Sequence, residues 1–230
     1  MKSFKYETHL HTIEGSACAV SKSVDYIEIY KRIGYSGIFV TNHFFGGNTC
    51  VPQNLPWKER IEMYCQGYEL AFEACKNDCD FDVFFGIEQT FDGDDYLIFG
   101  LDKNWLLSHP EIEFMTHYEV FKAVNEVNGL MVQAHPFRLR NYINSIHLHP
   151  REVHAVEIYN GGNKPEENEL AALYAKNFHF PMTSGTDIHN ANLVLEKPEL
   201  IGGVEFDSPL KDVFDFAERV KSNNVRIVKY

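Results

Sequence analysis

The sequence predicts an α/β fold in which strand–helix units close into one barrel. Two observations carry this expectation. Short apolar or β-branched runs alternate with amphipathic segments along the chain. In addition, a His, Glu or Asp follows nearly every one of these runs. In a parallel α/β barrel all strand C-termini open on one face, so residues distant in sequence converge there.

The strands are expected at residues 4–8, 37–41, 82–87, 96–100, 129–134, 155–159 and 180–184, with later ones at 200–206 and 225–228. Between them, Ser23 is placed to cap a helix through Ile33, stopped by Gly34 where a left-handed residue is favoured. Residues 57–76 carry Ile61, Tyr64, Tyr68 and Phe72 at helical spacing. Thr116 starts a further helix, with Glu119 three residues on as a capping box, ending near Asn128-Gly129. Segments 166–177 and 210–222 complete the helical set. No repeat or low-complexity linker interrupts the pattern. The irregular stretches 44–56 and 136–150 are the loops expected to shape a site. At 230 residues the chain, 1–230, fits one domain.

The formal net charge of -12 repels a phosphate backbone and argues against extended binding of duplex DNA or RNA. It does not argue against a small phosphorylated substrate at a site where cations supply the positive charge. Five cysteines (Cys18, Cys50, Cys65, Cys75, Cys79) form an odd set without a Cys-x-x-Cys pair and read as reduced thiols. Cys75 and Cys79, four apart, would share one helical face. The N-terminus lacks the apolar core of a signal peptide, and no apolar stretch approaches the roughly 20 residues that span a bilayer. The expectation is a cytoplasmic protein without a membrane partner.

The chemistry is expected at the strand ends. The first runs into His9-Leu10-His11, the second into Thr41-Asn42-His43, the third into Gly86-Ile87-Glu88 and the fifth into Ala134-His135-Pro136. The sixth carries Glu157 and Asn160, and the seventh leads into Asp187-Ile188-His189. Residues i and i+2 of an extended chain project to the same side, so His9 with His11, and Asp187 with His189, can reach one cation together. Imidazoles mixed with carboxylates suit Zn²⁺, Fe²⁺ or Mn²⁺. The set is too large for one ion, so two or three ions sharing Glu88 is the economical arrangement. Each residue alone has a plainer reading: His43 as a turn histidine with a satisfied hydrogen bond, or a His-x-His pair that binds nothing. The remaining histidines (His109, His117, His147, His149, His154, His179) lack such context; His147 and His149 alternate and could reach the site from the loop, against the favoured reading of surface positions. Arg138 and Arg140 are placed to meet phosphate, against the plainer reading of solvent-facing loop charges. Glu157 and Asn160 are expected to orient ligands or shape the pocket.

The ordered motifs His9-Leu10-His11-Thr12, Thr41-Asn42-His43, Gly86-Ile87-Glu88, Ala134-His135-Pro136 and Gly185-Thr186-Asp187-Ile188-His189 resemble those of the PHP family, named for its polymerase and histidinol phosphatase members. The resemblance implies a distorted (β/α)₇ TIM-like barrel with two or three metal ions and hydrolysis of phosphate esters. By position, His9 and His11 would share an ion with Glu88 and Asp187, His43 and His189 would serve a second, and His135 a third together with Glu88. Asp187 and Arg138 are the expected catalytic residues.

The sequence departs from the family pattern in two places. The Asp or His that many members carry five or six residues after the second opening histidine is Ser16 or Ala17 here, and Glu14 is the nearest substitute ligand. The histidine many members carry on the strand after the Glu88 motif is also missing. Asp95 could replace it, or the centre holds two ions. The expected reaction is attack by a metal-held hydroxide, since a bound ion lowers the pKa of water from 15.7 toward about 7. Competing readings are an exonuclease-like enzyme, a metal-binding module without turnover, and amide or ring hydrolysis on a related barrel.

Overall fold

Strand and helix alternate because apolar runs of period two and of period 3.6 alternate, but the strands do not form a single parallel set. The computed structural model describes residues 3–78, 80–141 and 143–229. Cys79, and with it the expected pairing of Cys75 and Cys79 on one helical face, lies outside the described residues. In the first sheet β1 (Phe4–Glu7), β2 (Gly37–Val40) and β3 (Asp82–Phe85) run parallel. Two antiparallel strands, β9 (Gly202–Phe206) and β10 (Arg226–Lys229), extend it past β1. The second sheet holds β4 (Ile87–Phe91), β5 (Asp94–Phe99), β6 (Leu130–Gln133), β7 (Ala155–Asn160) and β8 (Met182–Gly185) in that order.

This arrangement corrects the expected barrel. The fold is mixed α/β with two five-stranded sheets, and no closed barrel forms among the described residues. The cause is local. A tight hairpin joins β4 to β5 through Asp92-Gly93, with φ of 51° and 93°. Positive φ at both central residues is the geometry that Asp-Gly favours between antiparallel strands. The strands β4, β5 and β6 are therefore antiparallel, and only β6, β7 and β8 resume parallel pairing. The sheets stay linked at Gly86, whose N–H donates to Val40 O, and by bridges between His43 and Glu88 and between Leu10 and Ile188.

The helices cover the sheets. They are α1 (Asp25–Arg32), α2 (Trp57–Cys75), α3 (Lys103–Ser108), α4 (His117–Glu126), α5 (Pro165–Phe178), α6 (Leu193–Glu196) and α7 (Val213–Lys221). Thr116 and Glu119 form the expected capping box on α4, and Gly34 ends the first helical segment at φ 82°. Ser23 does not cap α1, which starts after Val24 without a side-chain cap. The neighbouring Lys22 N–H instead donates to Asp25. Tyr6 and Phe39 of the first sheet meet Leu97, Phe99, Leu130 and Val132 of the second in one buried cluster. Packing of this kind, at about 25 cal/mol per Å² of apolar area removed from water, holds the two sheets together. No helix among the described residues is long and apolar enough to cross a membrane.

Candidate metal centre

The ends of β1, β2, β6 and β8 and the start of β4 are polar yet buried: Thr8, His9, His11, Thr41, Asn42, Glu88, Gln133, His135 and Thr186 are all inaccessible or nearly so. Buried polar groups persist where they are paired or hold a cation. Alternation along the extended segment after β1 sends Leu10 into an apolar cluster and turns His9 and His11 the other way, ring centroids 5.2 Å apart.

Seven of the eight expected metal-binding residues gather in one cluster around Glu88. Its Oε1 lies 2.9 Å from His9 Nε2 and 3.3 Å from His135 Nε2. Its Oε2 lies 3.3 Å from His11 Nε2 and 2.6 Å from His43 Nδ1. A carboxylate whose two oxygens face different histidine pairs has the geometry of a bridging ligand. Asp187 Oδ1 approaches His9 at 3.5 Å and His11 at 3.2 Å, and the His189 ring stacks on His11 at 4.3 Å. The donors fall into three tight sets, His9/Glu88/His135, His9/His11/Asp187 and His11/His43/His189.

Glu14 is the exception. Its carboxylate accepts the backbone N–H of Ser23 and belongs to none of these sets. The reason is a tight turn over residues 12–16, in which Ser16 N–H donates to Thr12 O. That turn brings Ser16, not Glu14, to His11. Asp95 sits at the margin, with Oδ2 3.8 Å from His135 Nε2 while Oδ1 accepts from Thr90.

Hydrogen bonds around the cluster set the imidazole tautomers. The Ser16 hydroxyl donates to Asn42 Oδ1 and accepts from His43 N–H, so the 3.0 Å contact with His11 Nδ1 is a bond donated by the ring. His9 Nδ1 donates likewise to Glu157 Oε1 at 3.0 Å, and His189 Nδ1 donates to the Asp187 carbonyl at 2.9 Å. With Nδ1 the donor on all three rings, Nε2 is the nitrogen left to serve a cation. His9 Nε2, His11 Nε2, His43 Nδ1 and Glu88 Oε2 are buried without a hydrogen-bond partner, although they lie close together. Lone pairs crowded at one place without hydrogen-bond geometry are what a group of cations requires, so these residues fit the metal-ion chemistry expected of them.

Electrostatics point the same way. Burial works against charge on Glu88 and Asp187, but His43, His9 and His11 around Glu88, and His9, Arg138 and His11 around Asp187, hold both far below the ordinary carboxylate range. Burial opposes a proton on His43, and Glu88 overcomes it, raising the ring to about 11. His11, buried and facing His43, is held at about 3. The cluster thus attracts positive charge. Backbone strain marks the same place: His135 and Asp187 adopt φ of 30° and 58°. For residues other than glycine such conformations cost on the order of 1–3 kcal/mol and persist where the surroundings hold them.

Glu157 and Asn160 sit where orienting residues are needed. Glu157 Oε2 accepts from His135 N–H and from Asn160 Nδ2, while Oε1 holds His9. Arg138 donates to Asn163 and Asn160 and pairs with Asp187 Oδ2 at 2.7 Å. Arg140 instead ties Glu167 and Gly162 O together away from the cluster. A cavity of about 460 Å³ opens on the centre, lined by Cys18, His43, Gly47, Asn48, Thr90, Gly93, Asp95, Arg138, Asp187 and His189. Both irregular loops contribute to it, and the Asp92-Gly93 hairpin adds an unexpected third wall.

Four residues of this site were not singled out as functional by spacing. Ser16 and Asn42 form the relay that orients His11. Cys18, half-buried, meets His43 and His189, and these contacts overcome burial to lower its thiol to about 6. Glu7, under the site, accepts from His9 N–H and Thr186 N–H. The remaining expected surface histidines stay outside the cluster, but His117 and His149 come together with Glu152 elsewhere.

No family model and no curated protein matches the sequence. Among solved structures the fold is that of PHP-like metal-dependent phosphoesterases. A two-domain protein from Bacteroides vulgatus, containing a predicted PHP-like metal-dependent phosphoesterase, matches the whole chain at TM-score 0.73 and 15% identity. The chain spans 65% of that protein's length. A protein from Bifidobacterium adolescentis, assigned as a metal-dependent phosphoesterase, matches at TM-score 0.59 and 13% identity over 96% of both chains. An amidohydrolase from Chromobacterium violaceum, with sulfate bound and no metal, matches at TM-score 0.53 and 12% identity over 97% of both.

Proposed function

We propose that this chain, which has the fold of PHP-like metal-dependent phosphoesterases, hydrolyses the phosphate ester of a small molecule with two or three divalent ions, Zn²⁺, Fe²⁺ or Mn²⁺. The observation that carries the reading is Glu88, whose two oxygens face separate histidine pairs while Asp187 closes the far side. His9, His11, His43, Glu88, His135, Asp187 and His189 would hold the ions. When bound, such ions supply a water acidic enough to act at neutral pH and shield charge on the phosphoryl oxygens.

The protein's own residues supply position. Glu157, Ser16 and the Asp187 carbonyl lock the rings of His9, His11 and His189 so that no reorganisation is needed at the moment of reaction. Arg138 is held by Asn160, Asn163 and Asp187, with its remaining Nη1 available to a non-bridging phosphoryl oxygen. The cavity is in the size range of small-molecule sites. Together with the net charge of -12, it favours a phosphorylated metabolite over a polymer or a membrane surface.

Amide hydrolysis is the second reading, favoured by the sulfate-bound amidohydrolase of similar fold. The test supplies the purified protein with each ion and compares p-nitrophenyl phosphate, a nucleoside monophosphate, a single-stranded oligonucleotide and a panel of amides. Phosphate release from the monoesters, abolished by a chelator, is expected. Metal-dependent turnover of amides alone would replace the reading, and bound metal without any turnover would make the chain a binding module.

A further inference from the structure

On β5, Asp95 and Tyr96 are neighbours, and alternation sends them to opposite faces. Asp95 faces the metal centre, whereas the Tyr96 ring packs 4.4 Å from that of His117. There His117, the first residue of α4, meets His149 and Glu152 from the segment that precedes β7. Glu152 Oε2 lies 3.0 Å from His117 Nδ1 and 3.7 Å from His149 Nδ1. The two rings stack at 4.1 Å and 26°, close to the 4.3 Å and 22° of His11 on His189 in the centre. His117 is only 8% exposed, so its Nδ1 presents a largely desolvated nitrogen to Glu152 and His149, and one ligand atom from each of the three residues lies within 4.8 Å of the others.

We infer that His117, His149 and Glu152 form a second divalent-cation site, separate from the metal centre, that takes a Zn²⁺-class ion. Two imidazoles and a carboxylate are ordinary zinc donors, and the partial exposure of His149 and Glu152 leaves room for water as a fourth ligand. The hydrogen bond from His117 alone does not account for the trio, because His149 stands too far from Glu152 for a bond of its own. An ion there clasps the end of the irregular stretch 136–150 onto α4. The start of that stretch carries Arg138 into the central cavity, and its middle is tied down by the pairing of His147 with Asp94. The inference does not depend on the reaction assigned to the centre.

The experiment equilibrates the protein with Zn²⁺ in slight excess over all expected sites, removes the unbound ion by gel filtration and measures bound metal by plasma emission spectrometry, alongside His149→Ala and Glu152→Gln. Both substituted residues are about a third exposed, so the fold should tolerate the changes, and far-ultraviolet circular dichroism checks that it does. Each variant is expected to carry one zinc ion fewer per chain than the wild type. Zinc should also slow proteolysis within residues 139–151 of the wild type but not of the variants. Equal zinc content in wild type and both variants, with the same protection by zinc, would overturn the site.

Discussion

The two histidine clusters on either side of β5 use the same residue types and differ in how those residues are held. In the centre, donors arrive from the ends of β1, β2, β6 and β8 and from β4, and Glu88 and the rings of His9 and His11 are wholly buried. Each of three rings is locked by a further partner, Glu157, Ser16 or the Asp187 carbonyl. In the peripheral cluster three donors come from two segments, one carboxylate oxygen bonds one ring and only faces the other, and two of the three side chains are partly exposed. Histidine content therefore does not mark a reactive centre. Burial, converging lone pairs and locked tautomers do, because they keep cations desolvated and correctly placed.

The contrast can be broken most sharply at Asp187. Asp187→Asn keeps a residue that tolerates φ above zero but removes the charge facing His9, His11 and Arg138. Loss of several kcal/mol of transition-state stabilisation corresponds to about a thousandfold lower kcat/KM in the monoester assay. More than a tenth of wild-type activity would remove Asp187 from the ligand set.

Glu157→Gln probes the locking instead of the ligands. Losing the carboxylate behind His9 should weaken metal binding at the centre by about 10–100-fold, as read by competition with a chelator. Unchanged affinity would mean that the orienting bond carries no weight.

The peripheral cluster should be silent in the same assays. His149→Ala is expected to leave kcat/KM within about twofold of wild type, since well-separated sites act independently. A larger loss would couple the two clusters through the Arg138 stretch.

The smallest effect concerns pH. His154, beside the peripheral cluster, accepts a hydrogen bond from Met131 N–H. Burial, with Lys221 adding to it, lowers its pKa to about 4. The folded protein keeps this ring neutral, while the unfolded chain takes up a proton near 6.5. Its contribution to stability is thus full above 6.5 and is lost as pH falls toward 4. The stability advantage of wild type over His154→Gln, measured in urea, should shrink between pH 7.5 and 5. An advantage independent of pH would exclude His154 as the source.

Much of this was legible in the sequence. The runs behind β1, β2, β3 and β5 to β10 fall within two residues of their expected bounds, because short apolar or β-branched runs are a local signal that needs no tertiary information. The side chains that gather around Glu88 were legible for the same reason: a His or Asp directly after such a run sits at a strand end whatever the sheet looks like. The β4–β5 hairpin was signalled by Asp92-Gly93 between alternating residues, and a reading that expected only parallel units passed over it. Spacing also failed between His11 and Cys18. Sequence distance alone favoured Glu14, whereas the turn over residues 12–16 delivers Ser16 to His11 and brings Cys18 to His43 and His189.

By itself, then, the sequence determined the strands other than β4 and which residue types stand at their ends, since these follow from local periodicity and chain geometry. Only the tertiary structure decided that the strands split into two sheets, which donors share Glu88, and that His117, His149 and Glu152 meet at all. Those outcomes depend on backbone turns and on packing between segments far apart in the chain, where a rotation of one residue redirects a side chain from one partner to another.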